Sequence, residues 1–208
     1  MPPRARGLVK RLAFTLASAA GPSARRAFKE FCEIRFWRSV VAPIAHDPTR
    51  MLRERGHYEY FFTEYFGLTR EDYRDMRILD IGCGPMGSLE WADLARERIG
   101  LDPLADRYRG LVGGRHAMTY VAAPSEAIPY PDGHFDVVTT FNSLDHVDDI
   151  DHTIAEMKRV LAATGRLLLI VEIDHPDFDR AAIPGSDDHR PLRPGVDGRA
   201  RRNLRRPP

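Results

Sequence analysis

The sequence predicts an α/β fold: a parallel sheet of about five strands flanked by helices, preceded by a helical extension. Three observations carry this. Short apolar runs, each long enough for one strand, recur from residue 77 onward. Segments with helical periodicity separate them. The strands are apolar nearly throughout rather than alternating, which means that both faces of the sheet are covered. Hydrophobic residues make up 43% of the 208, enough for one core.

The elements follow in order. The opening "MPPRARGLVKRLAFTLASAAGPSA" has the layout of a signal peptide, basic then apolar then small. Thr15 and Ser18 break its apolar stretch, which favours an amphipathic helix over an export signal. Residues 23–41 read as a helix with apolar Phe28, Phe31, Ile34 and Val41, stopped at Pro43. Residues 49–66 read as another, opening after Pro48 and closing at Gly67. Its Tyr58, Phe61, Phe62, Tyr65 and Phe66 share one broad face, which either packs on the core or forms a lid over a pocket.

From Arg77 the rhythm changes. "RILDI" is a buried strand, "GSLEWADLARER" a helix, "IGLD" a second strand and "PLADRYRGLV" a second helix. "AMTYVAA" is a third strand, and "FDVVTTF", entered by the turn "PDG", is a fourth. "VDDIDHTIAEMKRVLAATG" is a helix with apolar Ile150, Ile154, Met157, Val160 and Leu161, in which Asp148 is the expected cap and Gly165 the stop. "RLLLIVEI" is the fifth strand. The domain boundaries expected are a helical extension or lid over 1–76, a core over 77–175 and a basic tail over 176–208.

The net charge of +1 conceals an uneven layout. Residues 1–29 carry seven Lys/Arg and no acid, and residues 190–208 carry seven Arg and one acid, Asp197. The stretch between them holds 17 basic against 29 acidic residues. An acidic body argues against specific binding of nucleic acid. No run of ~18 apolar residues is present to form a membrane span. Cys32 and Cys83 have no metal spacing and suit a reducing, cytoplasmic setting. Asp145, His146, Asp148, Asp149 and His152 cluster without matching a standard metal site, and His146 is at most a candidate general base.

The chemistry centres on "RILDIGCGPMGSLEW". Gly82, Gly84 and Gly87 form a G-x-G-x-x-G after a strand. Gly82 stands where the chain turns sharply, and Gly84 leaves room for a ligand against the backbone. Asp102 ends the second strand, 20 residues after Gly82, where a carboxylate can accept both hydroxyls of a ribose or cap the segment after Pro103. The combination points to a nucleoside-containing cofactor. Asp80, just before the glycines, would repel the pyrophosphate of a nicotinamide dinucleotide. It would welcome the ammonium and sulfonium of S-adenosylmethionine.

The stretches "ILDIGCGPMGS", "GLDPLAD", "SEAIPYPDGHFDVVTTFNSLDHVDD" and "VLAATGRLLLIVE" resemble, in order, the motifs of the class I S-adenosylmethionine-dependent methyltransferases over residues 77–173. The resemblance implies a Rossmann-like fold and transfer of a methyl group to a small-molecule acceptor. It places Gly82, Cys83 and Gly84 under the amino-acid end of the cofactor, with Asp80 orienting the ammonium. It places Asp102 on the ribose, Pro103 and Leu104 at the adenine, and Ser125 and Glu126 at the adenine edge. Asn142 and Ser143 fall near the methionine part and the reactive methyl. Pro124 stands where the family often has an acid, and Met86 where it often has a small or polar residue. No residue is singled out as catalytic.

The family fold ends in a further strand pair, which the tail after "LLLIVEIDHP" cannot supply. Rich in Arg, Pro, Gly and Asp, it reads as a disordered, truncated or frame-changed end. The fifth strand is then an exposed edge that invites self-association. The competing reading of function is a cofactor-binding remnant or interaction protein without turnover; a nicotinamide oxidoreductase is a third.

Overall fold

The computed structural model describes residues 15–44, 58–111 and 116–171. The expectations for residues 1–14, 49–57 and the basic tail 176–208 lie outside the described residues.

Helix α1 spans Pro22–Val41. Proline suits a first helical turn because its missing N–H would find no partner there. The buried positions of α1 include Ile34 and Val41, as the spacing predicts, whereas Phe31 is 57% exposed. Residues 58–62 are helical and lead to a short 3-10 turn, Glu64–Phe66, closed by Gly67 in the left-handed conformation. The aromatic face of this segment packs on the core through Phe61 and Phe62, with Tyr58 and Phe66 partly buried and Tyr65 45% exposed. Phe62 is fully buried and packs on Trp91 and Phe141, and its carbonyl accepts the Tyr73 hydroxyl.

Five strands form one parallel sheet: β1 (Arg77–Ile81), β2 (Glu97–Leu101), β3 (Thr119–Val121), β4 (Phe135–Phe141) and β5 (Leu161–Ile170). Their order is β3-β2-β1-β4-β5. This is the Rossmann-like sheet expected, and its strand order reverses between β1 and β4. Adjacent residues feed opposite faces. Ile78 and Val137 join Phe62, Tyr73, Leu89 and Trp91 on one side. Leu79 and Val138 join Leu101, Met157 and Val160 on the other. Double coverage is why the strands read as continuous apolar runs.

Two short helices complete the described framework, α2 (Ala105–Arg109) and α3 (Ile150–Val160). Four expectations are corrected. Residues 87–98 form no α-helix: residues 84–91 run as successive turns, and β2 already begins at Glu97. Gly84 and Gly87 hold φ of 56° and 78°, which no right-handed helix contains. Residues 83–89 are all buried, so no polar face remains for water, and Glu90 reaches across to accept from Ala117 and Met118 N–H at 2.8 and 3.0 Å.

The helix expected over 147–165 runs only from Ile150 to Val160. Leu161 turns extended and pairs with Phe135, so β5 starts earlier than its apolar run suggests. Gly165 does not stop a helix. A β-carbon there would lie 3.0 Å from the Asp136 carbonyl, so glycine lets β5 pass close to β4. Finally, the cap of α3 is Asp149, which accepts from His152 N–H at 3.0 Å, while Asp148 pairs with Arg26 and Lys29 of α1.

Candidate functional site

The C-terminal ends of β1, β2 and β4 meet at the point where the strand order reverses, the usual place for a ligand in an open α/β sheet. Asp80 lies on β1 and is 4% exposed. Its carboxylate accepts from Thr139 Oγ1 on β4 at 2.7 Å and from the Ser88 hydroxyl. Burial pushes its pKa up to about 6, against the two hydroxyl bonds, which act to lower it. A carboxylate bridging β1 and β4 below the glycine loop is thus held in one orientation.

Gly82, Gly84 and Gly87 all have positive φ, at 72°, 56° and 78°. At Gly82 a second constraint applies: a β-carbon would collide with the side chain of Ser143. Ser143 is itself fixed, donating to the Ile81 carbonyl at 3.0 Å and sharing a 2.6 Å bond with Thr140 Oγ1. The loop after β4 therefore presses on the loop after β1. Asn142, next to it, is exposed with φ 51°. Cys83 is buried, and burial first, then Asp102 and Asp80, pushes its thiol pKa up, so it is not a thiolate nucleophile.

Asp102 follows β2 and is 5% exposed. Its Oδ1 accepts from Leu104 N–H at 2.8 Å, and the Gly84 N–H also favours its charged form. The capping bond is therefore present, and Asp102 faces the glycine loop as well. Burial, followed by the negative charge of Glu33, raises its pKa to about 7. Pro103 is exposed and Leu104 buried.

Ser125 and Glu126 are committed within the protein. The Ser125 hydroxyl bonds Thr153 Oγ1 at 2.9 Å. Glu126 Oε1 accepts from the N–H groups of Asp148 and Asp149 at 2.9 and 3.0 Å, pinning the segment after β4. Met86 is buried beneath Val41 and Ile44, so it anchors α1.

The sequence reading missed two residues of α1 that reach the loop, Trp37 and Glu33, and read Ile34 only as a core position. Trp37 lies against Gly84, with its Cζ2 2.9 Å from the position of an added β-carbon. Glu33 Oε1 accepts the Tyr108 hydroxyl at 2.8 Å. Ile34 packs with Leu104 and Tyr108. No motif marks them, because α1 reaches the loop only through tertiary packing; the sole hint in the sequence is a tryptophan on a helix otherwise read as ordinary.

Residues 79–169 match the model of a family described as a methyltransferase domain. Among curated proteins, the chain is 40% identical over 98 residues to the ubiquinone/menaquinone biosynthesis C-methyltransferase UbiE of Shewanella piezotolerans, covering 46% of this chain and 37% of that protein. The protein of the same name from Shewanella halifaxensis is 39% identical over the same shares. Of the solved structures, YcgJ from Bacillus subtilis is similar at 27% identity and a TM-score of 0.42, covering 56% of this chain and 55% of that one. An S-adenosylmethionine-dependent methyltransferase from Mesorhizobium loti gives 24% and 0.42, covering 47% of each chain.

The glycine loop and the two buried carboxylates, Asp80 and Asp102, all fall inside the stretch that matches the methyltransferase domain. Over residues 79–169 the chain is similar to methyltransferase domains, and the curated relatives it matches there are named C-methyltransferases. The chain spans about a third, 37%, of the length of the UbiE relatives it matches.

Proposed function

We propose that this chain binds S-adenosylmethionine above Gly82–Gly84 and transfers its methyl group to a small-molecule acceptor. The observation that carries the reading is the pair of buried carboxylates, Asp80 and Asp102, on either side of the glycine loop. Their donor set fits the cofactor. A cationic amino-acid end compensates a buried carboxylate near β1, and ribose hydroxyls donate to one after β2. An anionic pyrophosphate would add a third negative charge to a site that already strains to ionise Asp102.

In this reading Asp80 orients the ammonium and Asp102 holds the ribose. Pro103 and Leu104 flank the adenine, while Asn142 and Ser143 border the methionine part. Ser125 and Glu126 lie at the adenine edge, positioned by their bonds to Thr153 and to the N–H groups of Asp148 and Asp149. The cofactor supplies a methyl group already activated on sulfur, so the protein's task is to align the acceptor and exclude water. The name C-methyltransferase borne by the matched relatives makes a carbon acceptor the first to test. His146, on the short turn Leu144–His146 after β4, lies within 3.4 Å of Asp145 and is the candidate base for such an acceptor.

The buried free cysteines are compatible with a cytoplasmic location, and no helix among the described residues is long and apolar enough to cross a membrane. The edge of β5, with Leu167 and Leu169 exposed, supports self-association. Calorimetry with S-adenosylhomocysteine and NAD tests the cofactor. We expect the first to bind and Asp102→Ala to weaken it; NAD binding with no response to S-adenosylhomocysteine would replace this reading by an oxidoreductase. Turnover with labelled methyl donor and a panel of acceptors tests the transfer, and binding without turnover would leave a cofactor-binding protein.

A further inference from the structure

We propose that α1 is a displaceable strap and that Trp37 occupies the place on Gly84 which the cofactor takes, so that the crevice is blocked by the chain itself until α1 lifts. The inference rests on the cofactor reading above. A glycine with no side chain leaves a surface against which something must lie, and here that something is an indole. Trp37 Cζ2, Cη2 and Cε2 lie 2.9, 3.4 and 3.5 Å from the position of a Gly84 β-carbon. The same ring packs edge-on against Tyr108, 6.4 Å between centroids, and against the clusters that contain Leu104 and Met86. Trp37 thus fills the space between the loop after β1 and the segment after β2, the two walls between which the cofactor is expected to lie.

The attachment of α1 is uneven along its length. Its C-terminal end is held by apolar burial, with Val41 and Ile44 at 1% and 2% exposure on Met86. Its N-terminal half is held by polar pairs at the surface. Arg26 and Lys29 meet Asp148 at 2.9 and 3.3 Å on the wall after β4, and Glu30 meets Arg107 at 3.3 Å on the α2 side. Such exposed pairs contribute little and are screened by salt. In the middle, Glu33 accepts the Tyr108 hydroxyl at 2.8 Å and Ile34 packs on Leu104 and Tyr108, while the negative charge of Glu33 disfavours ionisation of the buried Asp102. A strap with a firm hinge at Val41–Ile44 and weak clasps at its far end can open from that end. A ligand that needs the place of Trp37 shifts the population towards the lifted form, at the expense of its apparent affinity.

The test uses the full 208-residue chain, the Arg26→Ala/Lys29→Ala double variant and Trp37→Ala, with S-adenosylhomocysteine as probe. Stopped-flow fluorescence gives association rates, and hydrogen exchange follows residues 22–41 with and without the probe. Removing the clasps should speed association several-fold and tighten binding. Trp37→Ala should tighten binding by about tenfold, as expected when the competent form is a minor population. Saturation with the probe should make the α1 amides exchange faster. Weaker binding by Trp37→Ala, or greater protection of α1 on binding, would overturn the strap and make Trp37 a fixed wall of the site. If Trp37→Ala does not fold, the double variant decides alone: binding no faster than in the original chain overturns the inference and leaves the cofactor reading intact. Failure of all three chains to bind overturns both.

Discussion

The side chain of Ser143 lies where a β-carbon on Gly82 would fall. Ser143 is tied to the Ile81 carbonyl, and Gly82 has φ 72°, so neither partner is free to give way. The consequence is that Gly82→Ala should destabilise the fold by about 2–4 kcal/mol, the sum of a left-handed alanine and an overpacked contact. Chemical denaturation measures it. Stability within ~0.5 kcal/mol of the original chain would mean that Ser143 swings away at little cost.

Asp102 carries two separable duties. As an acceptor for Leu104 N–H it shapes the turn after β2; as a carboxylate it is the proposed ribose ligand. Asp102→Ala should weaken S-adenosylhomocysteine binding by about 1.5–3 kcal/mol, the loss for hydrogen bonds to a charged acceptor. Asp102→Asn keeps an oxygen for Leu104 and removes the buried charge, so it should lose less affinity and melt no lower than the original at neutral pH. Unchanged affinity for Asp102→Ala with a lower melting temperature would reduce the residue to a cap.

Stability should fall as pH rises from about 4 to about 7. Burial raises Asp80 to about 6 and Asp102 to about 7, so in this range the folded chain holds protons that the unfolded chain has released. The folded form is therefore favoured on the acid side of this window, and the contribution is lost as pH climbs through the folded pKa values, by roughly a few kcal/mol in all. Denaturation midpoints between pH 5 and 8 follow this; Asp80→Asn and Asp102→Asn should each flatten the slope. A ligand that donates to the ionised form of Asp102 should also bind more tightly at pH 8 than at pH 6. An affinity independent of pH would place the ligand elsewhere.

Strand β5 should drive self-association. It borders the sheet in the described structure, and Leu167, Leu169 and Val171 are 44%, 45% and 41% exposed, with Ile150 and Ile154 of α3 also exposed. Open N–H and C=O groups beside apolar side chains invite pairing. Light scattering should find oligomers of the full chain, and Leu167→Lys should shift them towards monomer. A chain that is already monomeric at high concentration would show that this edge is covered.

The sequence by itself determined the strand order of chemistry: five apolar runs, the glycine loop after the first, Asp80 before it and Asp102 after the second. These are legible because backbone turns and buried strands impose local residue types. It misjudged the stretch 87–98, where helical spacing is present but Gly87 turns to positive φ and β2 already begins at Glu97, and the end of α3, where pairing of Leu161 with Phe135 outweighs helix propensity. Only the tertiary structure decided what lies on the loop. Ser143 against Gly82, Trp37 against Gly84 and Glu33 beside Asp102 join residues 61, 47 and 69 positions apart. A pattern read along the chain records what each residue can do in its own turn or strand. Which distant side chain fills the space that a glycine leaves is set by packing, where shape and burial, not spacing, choose the partner.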